Sequence, residues 1–173
     1  MLRPAVLLAL SAAFIAPTLR AQTAAAPACP TTATLPQLIT AIDAAVSGPA
    51  DKDRACFRQL FLPDARLIPI RIAADGTATP RILTVDGWIE AIRKRGRSVF
   101  HEHQISVKTE QWAHIAHLWS TYTTTIDSAD KIADRGINSI QAIYDGKQWQ
   151  IIEITWQAET PPTPSRRNTS HDR

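Results

Sequence analysis

Four histidines lie close together in the second half of the chain: His101, His103, His114 and His117. His101 and His103 are two residues apart in a β-type segment, so a strand would place both side chains on one face. Such a pair can hold Zn²⁺ when another strand supplies a third ligand, here His114 or His117. This spacing is common by chance, however, and no carboxylate joins it. We therefore predict no metal site and assign His101 and His103 to a ligand pocket or an interface, with surface histidines as the alternative.

A second set of residues can exchange protons. Glu102, His117 and Tyr122 lie on neighbouring predicted strands, where the opening of a pocket could gather them. An acid or a histidine that is withdrawn from water can titrate near neutral pH. These three residues are therefore our candidates for catalysis. The structural alternative is that Tyr122 satisfies its hydroxyl at a sheet edge and that His117 packs beneath Trp119.

A third set of residues would recognise a polar group on a ligand. Arg135 and Asn138 begin a predicted strand beside Gly136. Arg135 can hold a carboxylate through two parallel hydrogen bonds, and Asn138 can orient a carbonyl. We assign both to ligand binding. The alternative is that Arg135 pairs with Asp134 or Glu153 and that Gly136 marks a β-bulge.

All these residues belong to a predicted sheet between Phe100 and Gln157, which contains four β segments dense in β-branched and aromatic residues. Alternation in the first segment places on one face Val99, His101, His103, Ile105 and Val107, and on the other Glu102, Gln104, Ser106, Lys108 and Glu110. The later segments carry bulky side chains on both faces. Tryptophans are more often found in cores and interfaces than around ligands, but we assign Trp156 to the ligand-binding set.

Three helices are predicted before this sheet, from helical periodicity and from capping and stop signals. Their predicted limits are residues 34–47, residues 51–62 and a start at residue 84 or 86, with a strand at 65–72. The predicted class is therefore α+β. Three helices can cover one face of the sheet, and an apolar second face must also be covered. We expect a second copy of the chain on that face, which gives a homodimer.

The ends of the chain have the composition of a signal and a tail. Residues 1–21 have a short basic start, an apolar run and a small residue at the end, which is typical of a secretory signal peptide. The apolar run is too short to span a bilayer. We predict a linker at 22–33, one domain at 34–157 and a disordered tail at 158–173. The protein should thus be exported, to the periplasm or beyond, with no membrane attachment after cleavage.

The two cysteines, Cys29 and Cys56, both remain after this cleavage. An exported chain meets an oxidising compartment, so we predict a disulfide between the segment before the first helix and the second helix. Two free thiols are the alternative, because the geometry is not visible in the sequence.

The charge and the absence of certain motifs exclude several functions. Residues 30–157 contain 14 basic and 14 acidic residues, so the domain has no electrostatic signature of nucleic-acid or anionic-membrane binding. The sequence has no glycine-rich phosphate loop, nucleophile elbow or CxxC pair. We therefore expect no cofactor.

The order of elements and four segments resemble the nuclear-transport-factor-2-like superfamily, and more narrowly the exported bacterial members of unassigned function related to its polyketide-cyclase-like branch. The segments that carry this resemblance are 61–65, 115–122, 135–141 and 149–156. The resemblance implies a cone, in which a strongly bent mixed sheet wraps over helices around a pocket, often with dimerisation through the outer sheet face. Members of the narrower group often have two acidic residues spaced like Glu102 and Gln104, and here the second is Gln.

The superfamily includes ketosteroid isomerase, scytalone dehydratase, limonene epoxide hydrolase and many non-catalytic domains, so its fold does not select a function. Three hypotheses follow. The first is an exported domain that binds a small, largely apolar molecule in the cone. The second is a cofactor-independent isomerase, dehydratase or cyclase that uses a histidine or carboxylate for proton transfer. The third is a protein-interaction module that uses the outer sheet face.

Overall fold

The computed structural model describes residues 28–127 and 132–159. Their secondary-structure elements are α1 (Leu35–Val46), β1 (Gly48–Pro49), α2 (Ala55–Gln59), β2 (Phe61–Ile72), β3 (Ala78–Pro80), α3 (Val85–Arg93), β4 (Val99–Trp112), β5 (Ile115–Ile126), β6 (Ile132–Tyr144) and β7 (Trp149–Ala158). The strands form one sheet in the order β1-β4-β5-β6-β7-β2-β3. All pairs are antiparallel except β2 with β7. The α+β half-barrel class is confirmed.

The helices lie on the inner face of this open mixed sheet. Helix α1 begins at a capping box in which Thr34 and Gln37 bond each other's backbone N–H groups, as the sequence predicts. Its buried face packs with α2, α3 and the inner side chains of β5, β6 and β7 in one hydrophobic core. Helix α3 is capped by Thr84, whose hydroxyl accepts from the Gly87 N–H group at 3.0 Å.

The predicted second helix is wrong at its C-terminal end. Helix α2 stops at Gln59, and Phe61 already belongs to β2, where it pairs with Ile151 of the parallel strand β7. Pro63 therefore lies inside the strand, and it is tolerated because the β2–β7 register is irregular between Phe61 and Arg66. Pairing with a distant strand decides this segment, which local propensity cannot show.

The predicted disulfide between Cys29 and Cys56 is present. It connects the segment before α1 to α2. The same segment is also held to the sheet, because Thr32 is buried and its carbonyl accepts a 2.8 Å hydrogen bond from the Trp149 N–H group. Residues 28–33 of the predicted linker thus lie against the domain. The predicted signal peptide and nearly all of the predicted tail lie outside the described residues.

No helix among the described residues is long and apolar enough to span a membrane.

Candidate functional site

A cavity of about 60 Å³ lies between the helices and the inner face of the sheet, and we call it the cone cavity. Eleven apolar side chains line it: Ile42, Val46, Phe57, Leu60, Phe61, Leu67, Trp88, Phe100, Ile151, Ile154 and Trp156. Three polar residues complete the lining, namely Arg95, Glu102 and Asn138. The cone cavity is therefore an apolar space with a small number of polar groups, which is the usual composition of a small-molecule site.

Glu102 is held by a buried polar network that crosses three strands. Its Oε1 atom accepts hydrogen bonds from Gln104 Nε2 at 2.9 Å and from Asn138 Nδ2 at 3.1 Å. Gln104 Oε1 in turn accepts from the Ser120 hydroxyl and from Asn138 Nδ2. Gln104, Ser120 and Asn138 are all buried. Among the described residues no donor reaches Glu102 Oε2.

The position of Glu102 changes its acidity. Burial raises the pKa of its carboxyl group to about 7, although the hydrogen bonds from Asn138 and Gln104 partly oppose this rise. The nearby charge of Asp43 raises the pKa further, and that of Arg95 lowers it. Glu102 is therefore divided between its neutral and charged forms near neutral pH, so it can both donate and accept a proton.

Two arginines, Arg95 and Arg54, lie at or near the cone cavity. The Arg95 guanidinium lines the cone cavity and lies 5.3 Å from the centre of the Phe100 ring. Arg54 is 2% exposed, and its guanidinium donates to the carbonyl oxygens of residues 45, 47 and 49. It also lies 5.8 Å from the centre of the Trp88 ring, which borders the cone cavity. Burial lowers the pKa of both arginines.

The structure does not bring His101 and His103 to the cone cavity, because a β-bulge interrupts β4. Gln104 pairs with Tyr122, but the next paired residue is Ser106, so Ile105 is an extra residue. Alternation therefore changes phase at Ile105, and the predicted common face of these histidines with Val107 is wrong. Both histidines are exposed, and His103 Nδ1 lies 3.1 Å from Asp43 Oδ2 on α1.

The other two histidines are also away from the cone cavity. His117 is on the outer side of β5, where its Nε2 atom lies 3.1 Å from Ser139 Oγ and its ring contacts Trp119 edge-on. His114 lies in the turn before β5, and its Nδ1 atom is 3.0 Å from the Tyr144 carbonyl oxygen. No group of three His, Cys, Asp or Glu side chains suited to a metal ion occurs within residues 28–127 and 132–159.

Tyr122 lies beside the polar network, and neither Tyr122 nor Arg135 borders the cone cavity. Tyr122 is 4% exposed, and burial together with the charges of Glu102 and Asp134 raises its pKa, so its hydroxyl stays protonated. Its ring lies over Gly136. Arg135 is partly buried, and its Nε atom has no hydrogen-bond partner among the described residues. Its suggested partner Glu153 pairs with Arg66 instead.

Three of the residues proposed from the sequence therefore lie together at the cone cavity: Glu102, Asn138 and Trp156. Sequence reasoning missed Arg95, Gln104 and Ser120. Arg95 was not selected because it belongs to a run of basic residues at the end of α3, where cations are explained by the helix dipole. Gln104 was correctly placed on the same face as Glu102, but it was not chosen as a site residue.

Comparison with known proteins gives the fold. No family model matches the sequence, and no curated protein matches it significantly. Solved structures do match. An NTF2-like protein of unknown function from Pseudomonas putida is 16% identical with a TM-score of 0.53, over 72% of this chain and 84% of that one. The chain has a nuclear-transport-factor-2-like fold.

Two further structures support this nuclear-transport-factor-2-like fold. A protein of unknown function with a cystatin-like fold from Nostoc punctiforme is 12% identical with a TM-score of 0.56, over 75% of this chain and 91% of that one. A chain from Novosphingobium aromaticivorans, provisionally described as the beta subunit of an aromatic-ring-hydroxylating dioxygenase, is 14% identical with a TM-score of 0.56, over 73% and 87%. At these identities the likeness concerns the fold, so function must be argued from the cavity.

Proposed function

We propose that the protein binds a small, largely apolar molecule in the cone cavity, with one polar group of that molecule at Glu102 and Asn138. The observation that carries this proposal is the distribution of side chains. Eleven apolar residues and three polar ones line a single space, and two of the polar ones belong to a buried hydrogen-bond network. Such a lining favours a ligand that is mostly apolar, and the polar residues fix the orientation of the ligand through its one polar group.

The test is an NMR titration of the ¹⁵N-labelled protein with cyclopentanone. Binding is monitored through the indole N–H signals of Trp88 and Trp156 and the side-chain amide signal of Asn138. Saturable shifts of these signals are expected. Val46→Phe, which fills the cone cavity, should abolish them. Ile39→Phe is the matched control, because Ile39 is on the same helix but does not line the cavity. Shifts that are absent, or that survive Val46→Phe, would contradict binding at this place.

A second function, proton transfer, is favoured by the acidity of Glu102. A carboxyl group with a pKa of about 7 can take a proton from a carbon next to a carbonyl and return it to a neighbouring atom, as an isomerase, dehydratase or cyclase requires. Arg95, which also lines the cavity, would hold the carbonyl oxygen, because both hydrogens of the Asn138 amide already bond within the network. The assay is exchange of the α-hydrogens of cyclopentanone in D₂O. The exchange rate should rise as pH increases through about 7 and be lost in Glu102→Gln, whereas equal exchange in both proteins would exclude this role.

Two further parts of the proposal concern location and assembly. The disulfide between Cys29 and Cys56 is compatible with an oxidising compartment, which supports export to the periplasm or beyond. The outer sheet face, where Ile115 and Trp119 are exposed, supports a homodimer through that face.

A further inference from the structure

The charges around the cone cavity are unbalanced. Arg95 lines the cavity, yet among the described residues no carboxylate oxygen lies within 4.0 Å of its guanidinium. Its contact is with the face of the Phe100 ring. The Arg95 side chain is exposed at the edge of the cavity, so water and the Phe100 ring both solvate its guanidinium, which remains open to an anion. The side of the cavity at Arg95 therefore has a positive charge without a directly bonded carboxylate among the described residues, although the charge of Glu102 acts on it from a longer distance.

Arg54 increases this positive charge. It is almost completely buried, and no carboxylate of the described residues lies within 4.0 Å of it either. Three backbone carbonyls satisfy part of its guanidinium, but its buried Nε atom has no hydrogen-bond partner within residues 28–127 and 132–159. Burial lowers the pKa of Arg54, and the like charge of Arg95 lowers it further. A bound anion would relieve the repulsion between these two cations.

Glu102 is the one carboxyl group among the lining residues of the cone cavity. Its Oε1 atom is held by Gln104 and Asn138, whereas its Oε2 atom has no donor among the described residues. In its neutral form Glu102 would carry the proton on Oε2 and could donate it in a hydrogen bond. The cavity then offers a guanidinium and an O–H group to the same ligand.

We propose that the ligand of the cone cavity is a small apolar monocarboxylate, whose carboxylate lies against Arg95 and accepts a hydrogen bond from Glu102 Oε2. The inference rests on the proposed function, since it names the chemical class of the molecule that binds in this cavity. The planar guanidinium of arginine matches the two oxygens of a carboxylate.

The size of the cavity restricts the acid. A buried water needs roughly 10–15 Å³ of such volume, so a cavity of about 60 Å³ holds on the order of five water-sized groups. Short branched or cyclic acids are of this size. Arg93 and Arg97 lie two residues from Arg95 and line a surface pocket with one carboxylate, Asp51, so the local charge is net positive and would attract an anion.

Binding of the acid should depend on pH through Glu102. The charged and titratable groups near this carboxyl are Asp43 on α1, Arg95 after α3 and Tyr122 on β5. Ionised Glu102 would repel the carboxylate of the ligand. Because the pKa of Glu102 is about 7, affinity should fall by about tenfold between pH 6 and pH 8.

The experiment compares isobutyrate and cyclopentanecarboxylate with their amides, which have nearly the same shape and no charge. Dissociation constants are measured by NMR titration at pH 6, using the Trp88 and Trp156 indole signals. Each acid should bind at least about tenfold more tightly than its amide. Arg95→Met should remove this preference and leave amide binding within about twofold. Arg71→Met is the control, because it removes the same charge from an exposed position on β2.

Each outcome has a distinct meaning. If the amides and cyclopentanone bind as well as the acids, the carboxylate inference is wrong and the proposed function stands. If no compound shifts the cavity signals, both are contradicted. Glu102→Gln should bind the acids with the same affinity at pH 6 and pH 8, and a tenfold fall that persists in this variant would exclude Glu102 as its cause. If Arg95→Met and Arg71→Met lose the same affinity for the acids, the preference for acids comes from general electrostatic attraction and not from a site at Arg95.

Discussion

The side-chain amide of Asn138, on β6, donates a 3.1 Å hydrogen bond to Glu102 Oε1, on β4, across the intervening strand β5. Both residues point to the inner face, and Ser120, which pairs with Asn138 on β5, donates to Gln104 in the same network. The network therefore fixes Glu102 at the cavity wall. It also leaves Glu102 Oε2 without a hydrogen-bond partner in the part of the chain that the structure describes.

The first prediction concerns stability and pH. The pKa of Glu102 is about 7 in the folded protein against an ordinary value of 4.5, so the folded state holds this proton over a range in which the unfolded state has lost it. Stability should therefore be highest at the acidic end of this range and fall as pH rises. Each pKa unit corresponds to 1.36 kcal/mol, so the contribution of Glu102 to the free energy of unfolding should fall by about 3 kcal/mol between pH 4.5 and 7.

Urea unfolding of the wild-type protein and of Glu102→Gln at several pH values measures this effect. The variant should lack the decline, because its amide does not titrate. Glu90→Gln is a matched control, since Glu90 is exposed on α3 and should leave the decline intact. Parallel pH profiles for wild-type protein and Glu102→Gln would contradict the raised pKa.

The second prediction concerns Gly136, which pairs with both Tyr122 and Ala158 in the sheet. A Cβ atom at this position would lie 2.3 Å from the carbonyl oxygen of Gln157 and 2.5 Å from the Tyr122 hydroxyl oxygen. Gly136→Ala should lower the free energy of unfolding by roughly 1–3 kcal/mol, as overpacking does. Chemical denaturation measures this loss, and a stability change below about 0.5 kcal/mol would show that the strands can separate to admit the methyl group.

The third prediction concerns the disulfide between Cys29 and Cys56, which closes a sequence separation of 27 residues. In the chain-entropy model, replacing both cysteines by serine should destabilise the protein by about 3 kcal/mol. Thiol labelling of the unreduced, denatured protein should find no free cysteine. Two labelled thiols, together with an unchanged unfolding curve for the double variant, would show that the bond does not form.

The fourth prediction concerns assembly. Trp112, Ile115 and Trp119 are 80%, 57% and 48% exposed, which leaves large apolar side chains in water unless a second copy covers them. Size-exclusion chromatography with light scattering should give a dimer. Trp119→Glu should shift it to monomer, and Ile82→Glu should not, since Ile82 is exposed before α3 and outside the four long strands. A monomeric wild-type protein would exclude the dimer.

The sequence predicted the elements whose signals are local. The capping box at Thr34 and the four long strands follow from residue types and their periodicity, and they are confirmed. The end of α2 could not be predicted, because the Leu60 carbonyl and Phe61 are fixed by β7 some 90 residues later. No local pattern contains that pairing.

The candidate site was predicted only in part, because its geometry also depends on contacts between distant segments of the chain. Glu102 and Asn138 were chosen for their chemistry and both reach the cavity, whereas His101 and His103 were chosen on an unbroken alternation. Whether any of these residues is functional stays a prediction. Arg95 could not be placed from the sequence, since its position depends on how the segment between α3 and β4 turns towards Phe100.

The bulge at Ile105 adds one residue to β4 and so reverses which side chains of the strand point inwards. Before it, even-numbered residues point inwards, and after it, odd-numbered residues do. A slip of one residue in the first half of the strand would place His101 and His103 on the inner face instead of Glu102 and Gln104, with no substitution at all. An insertion or deletion in this strand is therefore a shorter route to a different cavity chemistry than any series of point mutations.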